Sequence, residues 1–252
     1  MMRVVIFIVA MLASSAPGWA DAEQDCRQDK DHDRMISGCT QVIDRGGDIA
    51  WAYNNRANGY TGKGDLDRAF ADYDRAIALD PKRPNVYYNR GVAYQARGNL
   101  DLAIADYTGA VELNPKDGSA YGSRGTAQRA RGNLDLAIAD HTRAIELSPQ
   151  DGNAYNNRGA THKARGNLDL AFADNTRAVE LNPQDGVAYS NRGVVYHDKG
   201  DYDRAIADYT LAININPKHA TAYFNRAVSY RAKGLQDNAD ADAKKAKELD
   251  GK

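Results

Sequence analysis

A period of 34 residues constrains this chain more than any other feature. The stretch Pro84 to Asp117 reads PNVYYNRGVAYQARGNLDLAIADYTGAVELNPKD, and close copies follow it at the same spacing. Let position 1 be Pro84. Position 20 is then Ala69, Ala103, Ala137, Ala171, Ala205 and Ala239, and position 27 is Ala76, Ala110, Ala144, Ala178, Ala212 and Ala246. Position 8 is Ala57, Gly91, Gly125, Gly159, Gly193 and Ala227, position 4 is tyrosine from Tyr53 to Tyr223, and position 32 is Pro81, Pro115, Pro149, Pro183 and Pro217. A repeat of this length belongs to a stacked architecture in which each unit leans on its neighbours.

One unit reads as two helices. Tyr87, Gly91 and Tyr94 recur at helical spacing. Gly98-Asn99 breaks the chain, and Leu100, Ala103, Ile104, Tyr107, Ala110, Val111 and Leu113 make a second apolar stripe. Asn114-Pro115 stops that helix, because proline disfavours helical geometry in the residue before it. Small residues at positions 8, 20 and 27 let the two backbones approach. A single hairpin cannot bury its own apolar face, so the units must stack.

The small residue at 8, aromatic at 11, Ala at 20, aromatic at 24, Ala at 27 and Pro at 32 resemble the signature of the tetratricopeptide repeat (TPR) family. The match runs from residue 50 to 252 without loss of register, and ARGNLDLA occurs verbatim at 96–103, 130–137 and 164–171. The resemblance implies an all-α fold, a right-handed α-solenoid of stacked helix-turn-helix hairpins. Its units fall at 50–83, 84–117, 118–151, 152–185, 186–219 and 220–252. Residues 21–49 read as a degenerate half-repeat, since Asp33-Arg34-Met35-Ile36 lies one period before Asp67-Arg68-Ala69-Phe70. It would cap the N-terminal end of the stack. In the last unit, positions 21, 24 and 28 hold Asp240, Ala243 and Lys247. The face that a further unit would need is polar, as expected of a terminal repeat.

The N-terminus reads differently. Arg3 precedes an apolar run from Val4 to Leu12, too short to span a bilayer. Gly18 and Ala20 place small residues before Asp21. Residues 1–20 are expected to be a secretory signal peptide, the alternative being an uncleaved anchor. The chain is therefore expected to be exported, periplasmic or secreted, with no transmembrane segment once mature. Its two cysteines, Cys26 and Cys39, are then expected to form a disulfide. Regular hairpin geometry argues against this bond. Cys26 and Cys39 occupy positions 11 and 24, offset by roughly 10 Å of helix rise. The bond needs a first helix that is displaced or short.

Composition narrows the function. Net charge is −1, from 33 basic and 34 acidic residues, and only 8% of residues are aromatic. Nucleic acid as the main partner would ask for a basic face. The chain has no phosphate loop, no G-x-S-x-G, no H-E-x-x-H and no C-x-x-C, so neither an enzyme nor a bound cofactor is expected. Arginine at position 7 (Arg56 to Arg226) and aspartate at position 23 (Asp72 to Asp242) recur in all six units. They predict a structural Arg–Asp ladder, such as Arg90 with Asp106, within or between units. His141 and His162 stand with Gln128 and Asn175 where other units carry aromatics. Two imidazoles without a third ligand make a poor metal site, and a layer of mutually bonded polar residues is expected instead.

In TPR proteins the first helices line a groove through positions 2, 5, 6, 9, 12 and 13. Position 6 here is Asn55, Asn89, Ser123, Asn157, Asn191 and Asn225. An amide offers both donor and acceptor, so such a row could grip the backbone of an extended peptide. It is similar to the asparagine ladder of one member of the family. The same asparagines could equally fasten helix to helix. Tyr88 at position 5 and Arg129, Lys163 and Arg231 at position 12 complete the candidate groove. The carboxylate clamp of chaperone-binding TPRs is not matched, because position 5 holds Asn54, Tyr88 and Gly122 where that clamp needs lysine. The expected function is a non-enzymatic scaffold or adaptor binding an extended peptide segment of a protein partner. The alternative is a structural or oligomerisation subunit of a cell-envelope assembly, acting through its convex surface or its ends. The sequence specifies no oligomeric state.

Overall fold

The computed structural model describes residues 19–28, 30–46 and 49–251. Among them the chain is entirely helical. The helices are α1 (Trp19–Arg27), α2 (His32–Asp44), α3 (Ala50–Gly62), α4 (Leu66–Leu79), α5 (Pro84–Ala96), α6 (Leu100–Leu113) and α7 (Gly118–Ala130). They continue as α8 (Leu134–Leu147), α9 (Gly152–Ala164), α10 (Leu168–Leu181), α11 (Gly186–Asp198), α12 (Tyr202–Ile215), α13 (Ala220–Ala232) and α14 (Gln236–Asp250). Two compact units divide the described chain, one ending at Ala93 and the other beginning at Tyr94. The expected signal segment lies outside the described residues except for Trp19 and Ala20, which open α1. No described helix is long and apolar enough to cross a membrane.

Local chemistry sets the helix ends. Asp65, Asn99 and Asp201 accept a backbone N–H of the following helix, and Asp117, Asp151 and Asp185 do the same for theirs. Each first helix from α3 onward ends at a left-handed glycine. Gly64, Gly98, Gly132, Gly166, Gly200 and Gly234 have φ between 76° and 89°. The residue after each glycine donates back to the carbonyl five residues earlier, as Asn133 N does to Gln128 O at 2.9 Å, so the orphan carbonyls of the last turn are satisfied. A side chain there would be strained.

Within the second unit the hairpins are α7–α8, α9–α10, α11–α12 and α13–α14, and each packs on the next through α8–α9, α10–α11 and α12–α13. Position 8 must be small because the side chain at position 24 lies over it. A Cβ on Gly193 would come within 2.8 Å of Tyr209 Cε1, and one on Gly125 within 2.8 Å of His141 Cε1. Tyr209 and His141 are both fully buried.

The arginine and aspartate at positions 7 and 23 pair within a hairpin. Arg56–Asp72, Arg124–Asp140, Arg158–Asp174, Arg192–Asp208 and Arg226–Asp242 are bidentate, with N···O distances of 2.7–2.9 Å. Arg90 lies in the compact body that ends at Ala93 and Asp106 in the one that begins at Tyr94, although both belong to the repeat 84–117. The ladder also runs between hairpins, by a route that the repeat pattern did not suggest. Arg56, Arg124, Arg158 and Arg226 donate through Nη1 to Thr40, Thr108, Thr142 and Thr210 of the preceding hairpin, at 2.9–3.2 Å. Each guanidinium also lies 5.4–5.8 Å from the ring of its own position-4 tyrosine. Hydrogen bonds to the aspartates raise the pKa of these arginines. An outer row of exposed pairs, Lys63–Asp33 in the first unit and Arg131–Asp101, Arg165–Asp135, Lys199–Asp169 and Lys233–Asp203 in the second, repeats at each turn. Exposed pairs of this kind contribute only about 0–1 kcal/mol each.

In the first unit, Cys26 and Cys39 form a disulfide with Cα atoms 4.5 Å apart, and both residues are fully buried. The offset argued from a regular hairpin does not arise. Where other hairpins carry the Arg–Asp pair, the hairpin α1–α2 has Ala22 and Gly38. A Cβ on Gly38 would lie 2.7 Å from Ala22 O, Asp25 Cβ and Cys26 N. The two backbones therefore touch where other hairpins are held apart by an ion pair.

Candidate functional site

The first helices of the second unit's hairpins contact one another in chain order, α7 on α9, α9 on α11 and α11 on α13. Side chains at position 12 bridge this layer. Lys163 Nζ lies 3.5 Å from Asp198 Oδ2, and His197 Nδ1 lies 2.9 Å from Ser229 Oγ. The layer carries the candidate groove residues of the second unit, and the structure separates them into two kinds.

Asparagines at position 6 have a fastening partner where the preceding hairpin has asparagine at position 5. Asn89 Nδ2 donates to Asn54 Oδ1 at 3.1 Å and Asn191 Nδ2 to Asn156 Oδ1 at 2.7 Å. Both acceptor residues are buried, Asn54 at 3% and Asn156 at 5% exposure. In the first unit the bonds form a relay. Asn54 Nδ2 donates to Asn55 Oδ1, and Asn55 Nδ2 donates to the carbonyl of disulfide-bonded Cys26, each at 3.1 Å. An amide committed in this way has less capacity left for a ligand.

Asn157 and Asn225 differ. One period earlier, position 5 is Gly122 and Ser190. Glycine has no side chain to offer, and Ser190 makes no bond to Asn225. Among the described residues neither asparagine amide has a hydrogen-bond partner, and both side chains are half-buried on the layer of first helices. The repeat pattern placed all the position-6 asparagines in one row. The signal separating them was present one period upstream, at position 5.

Position 12 divides as well. Lys163 and Arg231 are exposed and have Asp198 and Asp240 at 3.5 and 3.6 Å. Arg129 is half-buried, with its Nε enclosed and unbonded. Among the described residues no carboxylate pairs with it. Tyr88 is half-buried on α5, in the first unit. The apolar members of the layer cluster late in the chain. Val187 on α11 and Phe224 on α13 are 51% and 57% exposed.

The polar layer expected around Gln128, His141, His162 and Asn175 is buried, but its members do not satisfy one another. Gln128 Oε1 accepts from Asn133 at 2.8 Å. Both ring nitrogens of His141, Nδ1 of His162, Oδ1 of Asn175 and Oγ1 of Thr176 are enclosed without a partner. Burial, reinforced by Arg129 and Arg158, lowers the His141 pKa to about 4. Burial lowers that of His162 also, against the opposing pull of Asp174, whose Oδ2 lies 3.9 Å from Nε2. The described residues hold no group of three or more His, Cys, Asp or Glu side chains placed to bind a metal ion.

Family models described as "TPR repeat" match residues 57–98 and 125–166, and models described as "Tetratricopeptide repeat" match 84–117, 186–219 and 220–252. Among solved structures, YrrB, described as a TPR protein with an unusual peptide-binding site, is 28% identical with a TM-score of 0.60 over 74% of this chain and 96% of its own. MamA is 28% identical with a TM-score of 0.55, over 64% of this chain and 94% of its own. A tetratricopeptide repeat protein from Parabacteroides merdae superposes with a TM-score of 0.76 over 92% of this chain and 93% of its own, and at 21% identity that likeness concerns the fold. A search of curated proteins returned no match.

Proposed function

Since the chain belongs to the tetratricopeptide repeat family, we propose that it is an exported adaptor that binds an extended segment of a partner protein along the first helices of its second unit. Members of this family are generally protein–protein interaction scaffolds and are typically non-enzymatic. The observation that carries the reading is the pair of unbonded amides, Asn157 and Asn225, on a layer where Asn191 is already committed to Asn156. A half-buried amide without a protein partner can exchange its water for a peptide backbone at little desolvation cost. A relative at 28% identity described as having a peptide-binding site supports the same reading. Export rests on the apolar run Val4–Leu12 and the small residues before Asp21, which agree with a disulfide-bonded chain.

The test separates ligand amides from fasteners. Asn157→Ala with Asn225→Ala should leave the thermal midpoint unchanged and weaken peptide binding by about 1–3 kcal/mol, or roughly 5- to 150-fold. Asn191→Ala should instead cost about 1–3 kcal/mol of stability, because it leaves the buried Asn156 amide unpaired. A double variant that binds a peptide-array hit as tightly as the parent would remove the groove from consideration. A second reading has its own support. Leu102, Leu136 and Leu170, all at position 19 of the second helices, are 44%, 56% and 52% exposed. Such a row suits a structural subunit that docks through its outer face. Loss of assembly in Leu136→Glu with peptide binding intact would favour it.

A further inference from the structure

The second unit's first-helix layer is chemically polarised from one end to the other. At α7 stands Arg129, its Nε enclosed and without a partner, while the other arginine and lysine of position 12 have carboxylates nearby. Around it the layer is small and polar, with Ser119, Ser123 and Thr126 on the same helix. At α13 stands Phe224, 57% exposed, next to the unbonded Asn225 and one turn from Val228. Asn157, the other unbonded amide, lies on α9 between them.

We infer that the segment bound here is acidic at one end and apolar at the other: an Asp or Glu carboxylate on Arg129, a backbone bonded by Asn157 and Asn225, and an apolar side chain against Phe224. The inference rests on the groove reading and adds the ligand's chemistry to it. Charge complementarity supplies the acidic end. A half-buried guanidinium without a counter-ion is an incomplete arrangement, and a carboxylate meets it with charge-assisted hydrogen bonds. Exposure of Phe224 supplies the apolar end, since a ligand's apolar side chain laid on that ring would remove apolar surface from water. The helix spacing supplies the length. Three steps between neighbouring first helices, at roughly 10 Å each, amount to about 30 Å. An extended chain covers that distance in about nine residues.

The experiment pans a phage-displayed library of random peptides, each about twelve residues long so as to span that distance, against the full disulfide-bonded chain. Enriched sequences are then measured by fluorescence anisotropy. The expected result is enrichment of peptides with Asp or Glu about nine residues from an apolar residue. Arg129→Gln should then weaken their binding roughly tenfold or more. A second measurement needs no change to the protein. Converting the peptide's acidic residue to its amide should weaken binding to the parent and make no further difference to Arg129→Gln, which ties the two groups together in one cycle. Phe224→Ala should weaken binding through the apolar end alone. Enriched peptides without an acidic residue, unaffected by Arg129→Gln yet weakened by Asn157→Ala, would overturn the inference and leave the groove reading standing. No enrichment, or binding indifferent to every one of these substitutions, would overturn both.

Discussion

His141 shows at the scale of one residue how far this chain departs from its own repeat. Tyr73, Tyr107 and Tyr209 occupy the same position and are buried; Tyr73 and Tyr107 have their hydroxyls bonded to Asn58 and Gln95. The His141 ring is equally buried and has no partner. Burial and the nearby Arg129 and Arg158 hold its pKa at about 4 against an ordinary 6.5. Between those values the unfolded chain binds the extra proton and the folded chain does not. The stability that His141 contributes is therefore complete above pH 6.5 and is lost as pH falls towards 4, by about 3 kcal/mol in all. Denaturant midpoints measured across this interval should fall more steeply for the parent than for His141→Gln. His141→Tyr should also flatten the profile. It restores the aromatic of the repeat, so its midpoint should rise. Identical profiles for parent and glutamine variant would mean that the ring is hydrated in the folded state.

The hairpin α9–α10 is the weak element. Its second helix places Asn175 where Tyr73, Tyr107 and Tyr209 pack in other hairpins, and the Asn175 Oδ1 and Thr176 Oγ1 atoms are enclosed and unbonded. Thr176 is the residue that the Arg192 guanidinium would reach if the ladder were regular, yet Arg192 bonds Asp208 and no threonine. The rung between hairpins that Arg124, Arg158 and Arg226 make is thus missing at this joint. Nearest-neighbour coupling lets a solenoid open at such a joint. Amide hydrogen exchange should be faster in α8 to α10 than in α12, and equal protection would refute a soft joint. The intact rungs predict the opposite sensitivity. Asp140→Ala strands the Arg124 guanidinium in a half-buried site and should cost about 3–5 kcal/mol, the range for breaking one partner of a buried pair. Arg131→Ala, which breaks only an exposed pair with Asp101, should cost under about 1 kcal/mol.

At the scale of the whole molecule, we propose that the chain is exported. Export predicts a mature chain beginning at Asp21, and the intact mass of the protein from its native host decides this; a chain that retains Met1 would sink it. Non-reducing mass spectrometry should show two hydrogens fewer than the dithiol, by the Cys26–Cys39 bond. Reduction should lower stability by about 3 kcal/mol, with the loss confined to α1, α2 and their contacts. Those contacts include Asn55 on the Cys26 carbonyl and Arg27 over the Trp51 ring at 4.0 Å.

The periodic part of this structure was legible in the sequence because it is local. First helices end at a glycine, second helices end just before a proline, and hairpins follow small residues at fixed positions, all within one repeat. The arginine–aspartate pairing could be read for the same reason. What tertiary structure alone decided are the contacts that join one unit to the next. Whether an asparagine fastens or stays open depends on a residue 35 positions upstream, Asn54 for Asn89 and Gly122 for Asn157. Whether the cysteines meet depends on Gly38 letting one helix backbone rest on another. Both ring nitrogens of His141, Asn175 Oδ1 and Thr176 Oγ1 are enclosed without partners, which a repeat pattern does not show. Periodicity fixes where a side chain sits on its own helix, and the neighbouring helix determines what that side chain can bind.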